Sequence, residues 1–167
     1  PVVLEPNPDV RKSILFLYNN GQTAEVLAQI EGLLPHFPES TFLWNVQGAS
    51  YRQIGNLDKA EEAYRKAIKS NPNFIDALNN LGAVLKEKGD LLGAKEVLNR
   101  AIGKNPKFPE ALNNLGNVLS DLGDYKAAEK AYEKALELKP DYPEAHRNIS
   151  QFKTYLPYEK TFRLLRI

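Results

Sequence analysis

Residues 41–74 read TFLWNVQGASYRQIGNLDKAEEAYRKAIKSNPNF, and the next two stretches, 75–108 and 109–142, repeat that pattern in altered letters. Gly48, Gly82 and Gly116 stand 34 residues apart, as do Gly55, Gly89 and Gly123, and the prolines Pro38, Pro72, Pro106 and Pro140. Inside 41–74, Leu43, Trp44, Gln47-Gly48, Tyr51 and Ile54 recur at steps of three and four, which is one face of a helix. Gly55-Asn56 breaks it. A second helix follows Asn56, with acids Asp58, Glu61 and Glu62 early in it and Ala60, Ala63, Tyr64, Ala67 and Ile68 on its apolar face. Asn71-Pro72 ends it, because proline cannot continue helical hydrogen bonding. The following units carry Leu78, Leu81, Gly82 and Leu85 with Ala94, Leu98, Ala101 and Ile102, then Leu112, Leu115, Gly116 and Leu119 with Ala128, Tyr132, Ala135 and Leu136. A helix pair of this size cannot bury its own apolar face, so the sequence predicts an all-α solenoid of stacked antiparallel helix pairs. The small residues Gly48, Gly82, Gly116, Ala60, Ala94 and Ala128 are predicted to let helices approach closely.

Towards the ends the period persists while the letters fade. Residues 7–40 keep Gly21 and Pro38 in register but place Ile14 at the helix-packing glycine, Val26 at the alanine and Ile30 at Tyr64. They read as a degenerate first repeat, the atypical unit expected at the end of a stack. Residues 143–156, with Ala145, Ile149 and Phe152, read as a capping first helix. Pro157 then stands at the turn-glycine position, and 157–167 reads as a tail. The whole of 1–167 is one domain on this reading.

Composition excludes several classes. With 43% apolar and 26% charged residues and a formal net charge of +1, nothing points to disorder or a nucleic-acid tail. No run of about 18 apolar residues suggests a membrane span. The absence of cysteine removes disulfides, thiolate chemistry and cysteine metal sites, and leaves the redox compartment open, with the cytoplasm the default. The chain also lacks methionine and opens Pro-Val-Val, which reads as a piece of a longer protein and also fits initiator removal before Pro1. His36 and His146 sit in different end units without metal-ligand spacing, so no metal or cofactor is expected. No serine has a nucleophile-elbow context, and no glycines form a phosphate loop. Glu61 with Arg65 and Glu62 with Lys66, acid first and four apart, suit an exposed helix face. Residues 109–142 hold seven acids against four bases, whereas 143–167 hold five bases against two acids.

The repeated positions resemble the tetratricopeptide repeat (TPR) pattern. Trp44, Gly48, Tyr51, Ala60, Tyr64, Ala67 and Pro72 fill it in one unit. Leu81, Gly82, Ala94, Ala101 and Pro106 fill the next, and Leu115, Gly116, Ala128, Tyr132, Ala135 and Pro140 the third. Gln47 departs where leucine is usual, and Leu85 and Leu119 replace tyrosine. The resemblance implies a right-handed superhelix whose first helices line a concave groove. There Asn79, Asn80, Asn113, Asn114, Asn117 and Asn148 would set out carboxamides, joined by Arg52, Lys86, Arg147 and Gln151. A carboxamide both donates and accepts, so such a row can pair with an extended peptide backbone whatever its side chains. Asn80, Asn114 and Asn148 look like the asparagine ladder of O-GlcNAc transferase. The same asparagines can also bond within or between repeats. Phe42 and Tyr18 add apolar contact in the groove or serve packing. Asp76, Glu110 and Glu144 stand where chaperone-tail clamps of the family carry basic residues, and like charge disfavours that ligand.

The resemblance therefore implies a non-catalytic scaffold holding a peptide or protein segment. A second reading is the N-terminal targeting or docking region of a larger enzyme, since the chain looks like bacterial proteins in which such repeats precede a sulfotransferase or glycosyltransferase domain. A third is self-assembly into a homo-oligomer through the ends or the C-terminal tail.

Overall fold

The computed structural model describes residues 4–151. Phe152, Pro157 and the tail 157–167 lie outside them. The helices are α1 (Pro8–Asn19), α2 (Thr23–Leu33), α3 (Thr41–Gln53), α4 (Leu57–Ser70), α5 (Ile75–Glu87), α6 (Leu91–Lys104), α7 (Pro109–Asp121) and α8 (Tyr125–Leu138), and residues 143–151 are helical as well. The described residues contain no strand. None of these helices is long and apolar enough to cross a membrane.

Every turn between paired helices carries a glycine of positive φ, and three of the four continue into an Asn or Asp that caps the next helix, whereas Gln22 before α2 makes no side-chain cap bond. Gly55 adopts φ 76° and Gly123 φ 78°, a left-handed conformation that costs glycine little and other residues more. The Gly55 N–H donates to the Arg52 carbonyl at 3.0 Å and the Asn56 N–H to that of Tyr51 at 2.9 Å, which closes α3 as a Schellman motif. Asn56 then opens α4, its side chain accepting from the Lys59 N–H at 3.2 Å. One residue thus ends one helix and caps the next. Asp90 and Asp124 cap α6 and α8 in the same manner.

Two compact units result, one ending at Gly89 and the other starting at Asp90. In the first, α3 packs on α4, α5 on both of these, and α2 on α1 and α3. Ring-on-glycine contact joins α3 to α4: a Cβ added to Gly48 would lie 2.8 Å from the Tyr64 ring. In the α1–α2 pair Ile14 and Ile30, in the registers of Gly48 and Tyr64, share a core with Val26, Leu43 and Val46. Two branched side chains there replace one large ring over none. In the second unit Tyr132 lies against Gly116 as Tyr64 does against Gly48, at 2.6 Å from the added Cβ, and Leu119, Ala128, Ala131 and Tyr132 form a core to which Ile149 adds.

The sequence face predicted for α3 needs correction. Ile54 is 57% exposed, because it is the C-cap residue beyond the last packed turn. Val46 and Ser50 are buried instead. With Leu43 they form a second stripe, spaced three and four, which packs towards the preceding pair while Gly48 meets α4. An inner first helix is covered on two sides, and a single-face reading sees only one. The corresponding positions of α1 are Asp9, Lys12 and Phe16; all three are exposed, Phe16 at 67%.

Candidate functional site

Within the first unit, residues of the first helices together with Tyr64 of α4 line an open cleft of about 390 Å³, made by Tyr18, Ala49, Arg52, Gln53, Tyr64, Asn80 and Glu87. Period explains the set: Tyr18 and Arg52 share one register position, Gln53 and Glu87 another. The Asn80 Nδ2 donates to Asn45 Oδ1 at 3.2 Å. Arg52 donates from Nε to Glu87 Oε1 at 2.8 Å and pairs with the same carboxylate oxygen through its terminal nitrogen at 2.5 Å. Burial works against the Arg52 charge, but the Glu87 bond and charge hold its pKa above the ordinary value. Tyr64, almost wholly enclosed, has its phenol pushed well above the usual range by burial.

The second unit repeats the carboxamide arrangement. Asn148 Nδ2 donates to Asn113 Oδ1 at 3.0 Å. Asn113 is buried, at 4% exposure. Tyr142 is itself raised in pKa by burial and then by the charges of Glu110 and Glu144. The Tyr132 hydroxyl donates to Asn117 Oδ1 at 2.7 Å, and burial pushes that phenol up to about 12.

Each predicted site residue thus has a place. Asn80 and Asn148 are half-buried and paired, Asn113 is enclosed, and Asn117 spends its oxygen on Tyr132. Asn79, Asn114 and Lys86 are half-buried and engaged by neighbours. Arg147 and Gln151 are exposed, and Arg52 is tied to Glu87. Asn45 and Glu87 join the site without having been expected from the sequence. Asn45 carries a signal there all the same, since it shares its register with Asn79 and Asn113. Phe42 and Tyr18 both pack against the first core, and Tyr18 also lines the cleft. Of the acidic row, Glu110 is bridged by Lys139 at 3.1 Å, and Asp76 and Glu144 are exposed.

On the opposite faces the charge pairs form as expected: Arg65 with Glu61 at 2.8 Å and Lys66 with Glu62 at 2.7 Å. Lys88 adds bonds to Asp58 at 2.6 Å and Glu61 at 2.7 Å. Trp44 donates its indole N–H to the Pro38 carbonyl at 2.8 Å. His146, in the same register three repeats later, stands 2.7 Å from the Pro140 carbonyl. That oxygen can only accept, so Nε2 carries the hydrogen. Among the described residues no cluster of three or more His, Cys, Asp or Glu could hold a metal ion.

This architecture of helix pairs joined by glycine turns defines an α-helical repeat protein. Tetratricopeptide repeat models match residues 75–108 and 109–142, and a TPR repeat model matches 48–89. Together they span 48–142, and the chain is a tetratricopeptide repeat module. No curated protein matches the sequence. Among solved structures, the crystal structure of MamA is similar with a TM-score of 0.76 at 22% identity, covering 93% of this chain and 87% of that one. MamA 41-end from Desulfovibrio magneticus RS-1 gives 0.77 at 21% identity, with coverages of 91% and 86%. The first TPR of Spaghetti (RPAP3) bound to the HSP90 peptide SRMEEVD gives 0.66 at 23%, with coverages of 70% and 93%.

Proposed function

We propose that this chain is a non-catalytic protein-interaction module that holds an extended peptide segment along its first helices. The observation that carries the reading is the carboxamide pairing, Asn45 with Asn80 and Asn113 with Asn148. Each pair fixes the orientation of two side chains while spending one donor of one and one acceptor of the other, out of two of each per carboxamide. Asn80 and Asn148 therefore keep hydrogen-bonding capacity already oriented, which lowers the ordering cost of binding a backbone. Enclosed Asn113 serves as the anchor that positions Asn148. The Arg52–Glu87 pair presents no net charge to the cleft, consistent with a ligand recognised by its backbone. The peptide-bound RPAP3 domain supports the reading by showing a peptide held by a module of this fold.

The test takes a peptide selected from a random library against the whole chain. Replacing Asn80 and Asn114 by alanine is expected to weaken it roughly fivefold per hydrogen bond lost, at about 1 kcal/mol each, with unchanged circular dichroism. Unaltered affinity would remove the assignment.

A further inference from the structure

The first turn between paired helices differs from the later ones in the residue before its glycine. Asn20 stands where Ile54, Lys88 and Leu122 stand in the turns that follow, and Asn20-Gly21 is the sole Asn-Gly or Asp-Gly step in the sequence. We propose that Asn20 is a site of spontaneous deamidation, held in check by the folded turn and released when the end of α1 opens. Asn20, Gly21 and Gln22 are all exposed, and nothing lies within 4 Å of a Cβ built on Gly21. Water therefore reaches the side chain, and no neighbour crowds the glycine.

The reaction needs no partner but water. The Gly21 nitrogen attacks Asn20 Cγ, an N–Cγ bond forms, the Cγ–Nδ2 bond breaks, and Nδ2 leaves as ammonia with the proton that the Gly21 nitrogen gives up. Water then opens the five-membered imide at either carbonyl, leaving aspartate or, with the chain rerouted through Cβ, isoaspartate. Each product carries one new carboxylate, and no electrons change hands. The folded turn opposes the first step twice. The Gly21 N–H donates to the Tyr18 carbonyl at 3.0 Å, so the nucleophile is engaged. Asn20 has ψ 5°, an angle at which the Gly21 nitrogen eclipses the Asn20 nitrogen, whereas ring closure needs it to eclipse Cβ. Both constraints vanish together when the last turn of α1 unwinds. Phe16 and Asn19 in that turn are exposed, so little burial resists such local opening.

The product does not fit the turn it came from. A carboxylate at the C-terminal end of α1 is disfavoured by the helix dipole, and no basic residue stands in that last turn to offset it. Isoaspartate adds one atom to the backbone before Gly21. The bonds from the Gly21 N–H to Tyr18 and from the Gln22 N–H to Leu17 then fall out of register. Deamidation thus turns a transient opening into a lasting one. Tyr18 lies in the same turn and lines the cleft of the first unit, so the modification loosens one wall of that cleft. The inference does not depend on what the cleft binds.

The test keeps the full chain in mildly alkaline buffer, with and without urea below its unfolding transition, beside a synthetic peptide of residues 15–25. Peptide mapping by mass spectrometry counts acid at each asparagine, and enzymatic methyl esterification counts isoaspartate. Acid is expected at Asn20 before any other asparagine, as a mixture of the two isomers. The folded chain should convert more slowly than the peptide by roughly tenfold or more, the retardation that an opening cost of about 1.4 kcal/mol gives. Urea should narrow that gap before the circular dichroism changes. Asn20→Gln, whose imide would be six-membered, should keep its amide over the same period. Deamidated chain, separated by ion exchange, should exchange the Gly21 and Gln22 amide hydrogens faster than the parent. Equal rates in chain and peptide, acid appearing first at another asparagine, or amide exchange unaltered by deamidation would each overturn the inference. So would an intact Asn20 amide in the urea-treated chain once the peptide has converted.

Discussion

Replacing Gly48 by alanine sets close packing directly against helix propensity. On propensity alone the change favours α3 by about 0.5–1 kcal/mol, because glycine in a helix interior gives up more backbone freedom on folding. The new methyl, however, would lie 2.8 Å from Tyr64 Cδ1 and Cε1, whereas carbon atoms rest about 3.5–4.0 Å apart. The ring must retreat by most of an ångström, and at 1% exposure Tyr64 has no solvent to retreat into. Overpacking of this kind costs about 1–3 kcal/mol. Net destabilisation of about 1 kcal/mol is expected, read as a lower urea midpoint by far-ultraviolet circular dichroism. Gly103→Ala is the control, since nothing lies within 4 Å of its added Cβ, and it should stabilise by up to about 1 kcal/mol. Adding Tyr64→Leu to Gly48→Ala tests the mechanism, because leucine stands naturally at this register as Leu98. The double variant should be more stable than the sum of the single effects by about 1 kcal/mol or more. If Gly48→Ala stabilises as Gly103→Ala does, the account of glycine as a seat for the tyrosine ring is wrong.

Two further outcomes concern buried and bridged groups. Ser50 is fully buried with its hydroxyl unbonded, at the register where Val84 and Val118 are buried. Ser50→Ala should therefore raise the denaturation midpoint, by about 1 kcal/mol, through removal of an unsatisfied group and a gain in propensity. Glu61 is held below its ordinary pKa of 4.5 chiefly by the bond from Lys88, with Arg65 adding to it against the opposing effect of burial. A carboxylate lowered in the folded state contributes stability above its unfolded pKa and loses it as the pH falls through the folded value. Thermal melts should accordingly show Lys88→Met less stable than the parent at neutral pH, with the gap narrowing below pH 4.5. A gap that stays constant on acidification would show that the bridge to Glu61 adds nothing.

The repeat makes the local architecture legible. Each turn carries a glycine in a left-handed conformation, and the three turns after the first add an Asn or Asp that caps the second helix of the pair; both are short-range demands written at fixed intervals. The ring-on-glycine contact at Gly48 is legible for the same reason, as a small residue at a fixed place in successive first helices. Contacts reaching from one repeat to the next are harder to read. Asn80 meets Asn45, and Arg52 meets Glu87, at a separation of 35 residues, one more than the period. Residues in equal register therefore do not face each other, and lining up the repeats hides the partner. Val46 and Ser50 have no visible mark in the sequence because their burial depends on the preceding pair, whereas Phe16, at the same register as Ser50, has no preceding pair among the described residues and is exposed. At the candidate site, residue types point to first-helix carboxamides, but which of them are spent on one another depends on three-dimensional offset.

Trp44 is the chain's sole tryptophan, clasped by the Pro38 carbonyl and by the Lys66 ammonium 4.4 Å from its ring. Its fluorescence therefore reports on one place, the junction that opens α3 in the first unit. Circular dichroism instead sums every helix on both sides of Gly89. The chain thus carries a built-in local thermometer beside a global one. Coincident melting by the two signals would mean that cooperativity extends past the boundary after Gly89, and separated midpoints would measure how far each unit holds its structure alone.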